Sequence, residues 1–241
     1  MTAGEPNGMT YGQYLALDQL LTAQHPISDK HDELLFIVIH QTKELWLKQM
    51  LAEAGTARDA IQGNRLHEAY KILARVSRIQ AVMTLSWDVL ATMTPTDYTQ
   101  FRGVLGTSSG FQSDQFRAFE ALLGLKVAGA PGPLTKAALA ETNVWDAACA
   151  ALARAGLTGD RETAWAEVYR EPERWWDLYQ LAEKLVDVDD ALAGWRHKHV
   201  LTVSRIIGGK RGTGGTAGVP YLESTLTKRA FPELWTLRTL L

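Results

Sequence analysis

The chain has 241 residues, of which 46% are hydrophobic, enough for one large helical domain or two small ones with a substantial core. Its 25 basic and 27 acidic side chains give a net charge of -2 without long runs of one sign, which argues against nucleic-acid binding and against a polybasic membrane surface. Cys149 is the single cysteine, which excludes a disulfide framework and a cysteine-built zinc site, and a reducing cytoplasm is the expected setting. Residues 1–12 lack signal-peptide features, and the longest apolar run, 34–39, is too short to cross a bilayer.

Helical spacing of apolar residues dominates the chain, and strand-like alternation is rare. Residues 1–10 are expected to be disordered. A short amphipathic helix is predicted over 11–23, and a second helix over 32–53 begins apolar on nearly all sides, as in the centre of a bundle. A long helix is predicted over 57–90.

Shorter helices are predicted in the middle of the chain. Thr94-Pro95-Thr96-Asp97 combines an N-cap threonine, a proline at the first helical position and an acid at the third, so a short helix should begin there. The other predicted elements are helices over 111–123, within 134–155 and over 160–169, a loop over 127–133, a long helix over 172–207, a glycine-rich loop over 208–218 and a short terminal helix. The predicted fold is therefore all-α, one helical domain over 11–241 built around long helices.

Two of the six histidines are candidates for chemistry. His40 follows the apolar run on a helix expected to be buried, where a histidine is more often a hydrogen-bonded core residue than a functional one. His199 shares a helix face with Trp195 and Val203, and this apolar face fits either an axial haem ligand or a satisfied core histidine. His197 lies two positions from His199, so the two side chains diverge by about 200° on a helix and cannot chelate one ion.

One arginine suggests recognition of a carboxylate. Arg102 lies four residues after Tyr98 and three before Leu105, so the three share a helix face that suits a ligand with an acid group and an apolar body. An ordinary surface arginine explains the same pattern. The glycine-rich stretch 210–218 is rejected as a phosphate-binding loop, because it follows a helix and lacks the required lysine motif.

Five stretches resemble the tryptophan 2,3-dioxygenase family in order along nearly the whole chain. They are YGQYLALDQLL (11–21), HDELLFIVIHQTKELWLKQ (31–49), LATMTPTDYTQFRGVLGTSSGFQSDQFRAFEALLG (90–124), WRHKHVLTVSRIIGGKRGTGGTAGVPYLEST (195–225) and FPELW (231–235). The resemblance implies a helical homotetramer that holds b-type haem between its helices. It also implies that O2 cleaves the indole C2–C3 bond of L-tryptophan, or of a substituted tryptophan, to give N-formylkynurenine.

The resemblance assigns roles to particular residues. His199 is the implied iron ligand, with Trp195 and Val203 beside it, and His40 is implied to hydrogen-bond the indole N–H. Arg102 and Thr213 are implied to hold the substrate carboxylate, and Thr213 also meets the ammonium group. The remaining implied substrate contacts are Phe36, Tyr98, Leu105 and Ser109, together with Tyr11, Tyr14 and Leu15, which match a segment that reaches the pocket of a neighbouring subunit.

The sequence also departs from the family pattern. The chain is short around 125–165, and it reads TNVWD at 142–146 where the family typically has a PSLYD-like stretch. This departure raises an alternative function, a haem-dependent monooxygenase that converts a tryptophan derivative to an oxindole-type product. A non-catalytic haem-binding or ligand-sensing module is a further alternative, which the joint presence of His199, His40, Arg102 and Thr213 disfavours.

Overall fold

The computed structural model describes residues 8–241, and every regular element in that part of the chain is a helix. The α-helices are α1 (Tyr11–Leu15), α2 (Leu17–Leu20), α3 (His31–Gln62), α4 (Leu66–Leu90), α5 (Pro95–Phe101), α6 (Asp114–Leu123), α7 (Pro133–Leu139), α8 (Val144–Arg154), α9 (Arg161–Arg170), α10 (Trp176–Ile207), α11 (Val219–Glu223) and α12 (Pro232–Thr236). Short 3-10 turns occupy Arg102–Leu105, Gly110–Gln112 and Leu237–Thr239. The all-α prediction is confirmed.

Three long helices form the centre of the bundle. α3 and α10 have 32 residues each, α4 has 25, and α4 packs against both of the others. Most of the core lies between these helices and α6, α8 and α9, around fully buried side chains such as Leu73, Trp165 and Leu185. A smaller apolar cluster, which includes Ile39, Trp87, Phe101 and Ile206, lies where α3 begins and where α4 and α10 end.

The predicted boundary between the second and third helices was wrong. α3 continues nine residues beyond 53, through Gly55, to Gln62. The chain turns at Gly63 and Asn64 instead, where Asn64 adopts a left-handed backbone with φ of 56°. Alanines 54, 57 and 60 are fully buried, so tertiary packing holds this stretch helical despite the glycine.

Other boundaries shift where a local cap interrupts a predicted helix. Ala16 adopts a φ of 49° and splits the predicted 11–23 helix into α1 and α2. Ser113 caps α6 and separates it from the preceding 3-10 turn, and Asn143 caps α8 by accepting a hydrogen bond from the backbone N–H of Asp146 at 2.8 Å. α10 begins at Trp176 rather than near Pro172. The predicted cap of α5 is present, with Thr94 and Asp97 bonded reciprocally.

The predicted disorder of residues 1–10 falls mainly on residues 1–7, which lie outside the described part of the chain. Thr10 belongs to the folded structure, because its side chain caps α1 through a reciprocal pair of hydrogen bonds with Gln13. No helix within residues 8–241 combines the length and the apolar character needed to span a membrane.

Two buried acids hold α10 in place. The carboxylate of Asp189 accepts hydrogen bonds from the backbone N–H of Ala230 at 3.0 Å and from Nε1 of Trp235 at 2.9 Å, which fastens the C-terminal segment to α10. Arg196 forms a buried ion pair with Glu120 of α6 at 2.7 Å. Since both anchors precede His199 along α10, they fix the position of the helix that carries it.

Candidate active site

Four elements meet around the smaller apolar cluster and carry most of the predicted site residues. They are the first turns of α3, the end of α4, α5 with its following 3-10 turn, and the second half of α10. Because these segments are far apart in the sequence, the packing of α3, α4 and α10 is what brings their side chains together.

His199 lies against two tryptophans. Its ring stacks on Trp87 of α4, with centroids 4.3 Å apart and planes 8° apart, and Trp195 lies 5.3 Å from it on the same helix. Val203, one turn further along, is half-buried. His197 is exposed, which confirms that the two histidines diverge. The predicted face of Trp195, His199 and Val203 therefore borders the cluster.

His40 is held by its own helix. Its Nδ1 lies 2.7 Å from the backbone carbonyl oxygen of Phe36. A carbonyl oxygen only accepts, so Nδ1 carries the proton and donates it, which leaves Nε2 as a hydrogen-bond acceptor in the neutral ring. The ring of Phe36 lies 4.2 Å from that of His40 and also contacts Tyr98, at 5.9 Å, and Phe101, at 5.7 Å.

Both imidazoles are neutral at physiological pH. Desolvation lowers the pKa of His199 to about 3, with smaller contributions from the charges of Lys43 and His40. Desolvation also lowers the pKa of His40, against the raising effect of its bond to the Phe36 carbonyl. Each histidine nevertheless remains partly exposed to solvent. A desolvated imidazole with partial exposure is expected for a residue at the wall of a cavity. A neutral imidazole is the form that ligates a metal.

The glycine-rich loop after α10 closes against the segment after α5. The guanidinium of Arg102 donates a hydrogen bond to the backbone carbonyl of Arg211, and the hydroxyl of Thr213 donates one to the carbonyl of Ser108. Desolvation raises the pKa of the Tyr98 phenol, and the nearby charge of Arg102 offsets only part of this shift. The segments that carry the two predicted carboxylate ligands, Arg102 and Thr213, therefore contact each other.

The loop approaches Ser109 closely. A Cβ added to Gly214 would lie 2.5 Å from Cβ and 2.7 Å from Oγ of Ser109, so only glycine fits here without a shift. Ser109 itself caps a 3-10 turn, where its Oγ accepts a hydrogen bond from the N–H of Phe111 at 3.3 Å. Leu105 packs against the smaller cluster, as its predicted role in an apolar wall requires.

Three predicted residues lie outside this assembly. Tyr11 and Tyr14 are each 76% exposed and Leu15 is 40% exposed. Their helix, α1, contacts α2 and no other helix within residues 8–241. Within one subunit these side chains do not reach the site.

A sequence profile of the tryptophan 2,3-dioxygenase family matches residues 1–130 and 154–241. The chain belongs to the tryptophan 2,3-dioxygenase family. A protein named tryptophan 2,3-dioxygenase from Caulobacter vibrioides is 62% identical over 257 aligned positions, covering 96% of this chain and 98% of the relative. Proteins of the same name from Ralstonia pickettii and Bacillus cereus are 50% and 47% identical, and each alignment covers 96% of this chain and 92% of the relative.

The unmatched stretch, residues 131–153, coincides with the departure noted in the sequence. It forms α7 and most of α8, and Trp145 of α8 packs against Trp165 and Phe231 in the main core. The profile of the tryptophan 2,3-dioxygenase family therefore covers the elements that surround His40 and His199 and leaves α7 and most of α8 unmatched.

Sequence reasoning missed Lys43 and Trp87. Lys43 lies in a polar stretch of α3, and Trp87 has the spacing of an ordinary core residue of α4, so neither pattern predicts function. In the structure Nζ of Lys43 lies 2.7 Å from the centroid of the Trp87 ring. Only the position of Lys43, one turn after His40, could have drawn attention to it.

The chemistry of these residues fits the haem that the family implies. No group of three or more His, Cys, Asp or Glu side chains within residues 8–241 could hold a metal ion. Around His199, the Nε1 atoms of Trp87 and Trp195 and Nζ of Lys43 are buried without hydrogen-bond partners. Apolar walls, a neutral imidazole and unsatisfied donors suit a porphyrin with acidic side chains.

Proposed function

We propose that this protein is a haem-dependent tryptophan 2,3-dioxygenase, which uses O2 to cleave the indole C2–C3 bond of L-tryptophan and forms N-formylkynurenine. The observation that carries the proposal is one apolar cluster that His199 borders through Trp87 and His40 borders through Phe36, in a chain of this family. Both atoms of O2 enter the product, so no external reductant is consumed.

His199 would hold the iron of haem b, and Trp195 and Val203 would be among its apolar contacts. Haem supplies the iron at which dioxygen reacts. The chain contributes a neutral ligand, which desolvation keeps unprotonated, and a fixed helix, which the Arg196–Glu120 ion pair anchors three residues before His199. The surrounding tryptophans exclude water from the reacting centre.

Substrate orientation is the proposed role of His40. Because its Nδ1 donates to the Phe36 carbonyl, Nε2 is an acceptor and can receive the indole N–H. Phe36, Tyr98 and Leu105 offer apolar surface for the indole ring, which would place the C2–C3 bond reproducibly. His40 acts here by orienting the ring, and no obligate general base is invoked.

The amino-acid end of the substrate is proposed to bind Arg102 and Thr213. An arginine guanidinium can hold a carboxylate with two parallel hydrogen bonds, and a threonine hydroxyl can serve both the carboxylate and the ammonium group. Since the loop carrying Thr213 already contacts the Ser108–Ser109 segment, the substrate would be enclosed between two elements that the structure brings together.

Product mass after aerobic turnover of the ferrous haem protein with L-tryptophan tests the proposal. A gain of two oxygen atoms supports the dioxygenase, whereas a gain of one would support the oxindole-forming monooxygenase and overturn the proposal. The relatives reported above all carry the dioxygenase name, which favours the first outcome. Haem binding without turnover of L-tryptophan would also contradict it.

We also propose that the protein works as a cytoplasmic homotetramer. Apolar side chains are exposed in stripes on α3 and α4: Leu34, Val38 and Leu45 on the first, and Val82, Leu85 and Val89 on the second. With Tyr11, Tyr14 and Leu15 of α1 also exposed, these faces fit contacts between subunits, and α1 would reach a neighbour's pocket. Light scattering of the full chain and of a variant lacking residues 1–21 tests this; a fully active monomer would contradict it.

A further inference from the structure

Lys43 is a buried cation without a partner. It lies on α3 three residues after His40, and its side chain is 6% exposed. Its Nζ has no hydrogen-bond partner among the described residues and lies over the ring of Trp87, which stacks on His199. The lysine therefore lies beside the proposed haem site.

An isolated buried ammonium destabilises the folded state, and no carboxylate among the described residues pairs with Nζ of Lys43. Desolvation lowers the pKa of Lys43 to about 6, and no carboxylate acts against that shift. The acids that follow Lys43 and Trp87 in the sequence have other partners. The carboxylate of Glu44 accepts a hydrogen bond from Nε2 of Gln115 at 2.7 Å, and Asp88 pairs with Lys198.

We propose that Lys43 forms an ion pair with a propionate carboxylate of haem and thereby anchors the cofactor. This inference rests on the proposed function, because haem brings the propionate. An incoming carboxylate supplies the partner that Nζ lacks and favours the charged ammonium, which desolvation otherwise disfavours.

The carboxylate of the amino-acid substrate is the other anion that enters this region, but its proposed ligands lie elsewhere. Phe36 is the residue of α3 that contacts Tyr98 and Phe101 of α5, the helix that leads to Arg102. Lys43 lies seven residues further along α3, about 10 Å along the helix axis, where it meets Trp87. The two cations thus serve different ends of the site, Arg102 the substrate and Lys43 the cofactor.

Haem release from the purified holoprotein tests the ion pair. Lys43→Met removes the charge and keeps an unbranched apolar stem, while Lys48→Met removes an exposed lysine of the same helix and serves as the control. Transfer to excess apomyoglobin, followed in the Soret band, measures the release rate for haem and for haem dimethyl ester, whose propionates are uncharged. We expect Lys43→Met to accelerate release of haem at least roughly tenfold and release of the ester little, with Lys48→Met unchanged for both.

Other outcomes separate the inference from the proposed function. If Lys43→Met accelerated the release of haem and of the ester equally, Lys43 would act through packing alone. If it changed neither release rate, Lys43 would not hold the cofactor. Either result overturns the ion pair and leaves the proposed function standing. A wild-type protein that acquires no haem would overturn both. Lys43→Arg retains the charge, so it should release haem at a rate closer to wild type than Lys43→Met does; release as fast as from Lys43→Met would also contradict the ion pair.

Discussion

The guanidinium of Arg102 donates a hydrogen bond to the backbone carbonyl of Arg211 and so joins the turn after α5 to the loop after α10. The same guanidinium is the proposed partner of the substrate carboxylate. Substrate binding and loop docking therefore share one side chain, and the loop brings Thr213 to the segment that contains Ser108. In the proposed function, this coupling would let the loop enclose the substrate and exclude water.

Replacing Arg102 should weaken tryptophan recognition. A charge-assisted hydrogen bond contributes about 1.5–3 kcal/mol, so Arg102→Ala should lower kcat/KM for L-tryptophan at least roughly tenfold. Wild-type enzyme should turn over tryptamine poorly, because tryptamine lacks the carboxylate. Steady-state kinetics with both substrates measures the effect.

Arg211→Ala is the control for that experiment, because it removes a neighbouring charge and keeps the carbonyl that accepts from Arg102. It should change kcat/KM much less than Arg102→Ala does. Equal turnover of tryptamine and L-tryptophan by the wild type would refute the carboxylate anchor.

Gly214→Ala should prevent the loop from docking. The added Cβ would lie 2.5 Å from that of Ser109, too close for either to stay in place. We expect a higher KM for L-tryptophan and faster trypsin cleavage after Lys210 and Arg211, with less protection by substrate than in the wild type. Gly209→Ala, whose Cβ would meet nothing within 4 Å, is the matched control. If both variants behaved like the wild type, docking at Ser109 would have no role in binding.

His199→Ala should abolish stable haem binding, whereas His197→Ala should leave it largely intact. The first removes the neutral imidazole that stacks on Trp87, and the second removes an exposed side chain two positions away. The Soret spectra of the purified variants check this directly, and added imidazole should restore part of the spectrum of His199→Ala. A normal spectrum and full activity in His199→Ala would show that the iron ligand lies elsewhere.

Glu33 should make the free energy of unfolding depend on pH in the acidic range. Its carboxylate accepts hydrogen bonds from the backbone N–H groups of Ile27 at 2.8 Å and Ser28 at 2.7 Å, and these bonds, that of Ile27 foremost, lower its pKa below the usual 4.5. Because the folded-state pKa is the lower one, the stabilisation is present above pH 4.5 and is lost as pH falls through the folded value. Glu33→Gln should lower the free energy of unfolding at pH 7 by about 1–3 kcal/mol.

The same variant should also flatten the loss of stability below pH 4.5, which urea titrations at several pH values would measure. Asp32→Asn, in the same first turn of α3, is the control, since it removes a charge and keeps the bonds to Ile27 and Ser28. An unchanged pH profile in Glu33→Gln would show that these bonds do not account for acid sensitivity.

Local signals in the sequence predicted much of this fold. The capping sequence at Thr94, the helical spacing through α10 and the glycine after Ile207 are interactions between residues a few positions apart, and each appears in the structure. The boundary between α3 and α4 was predicted wrongly because Gly55 weakens a helix locally, whereas the burial of alanines against other helices stabilises it. No local sequence pattern records that burial.

By itself, the sequence determined the all-α class, the apolar face of His199 and, through its long motifs, the family. Only the tertiary structure decided that Lys43 lies over Trp87, that the loop carrying Thr213 closes on Ser108, and that α1 finds no partner helix beyond α2 within the described chain. The physical reason is separation along the chain. Arg102 and Arg211 are 109 residues apart, and their contact follows from the packing of α3, α4 and α10, which no spacing of three or four residues encodes.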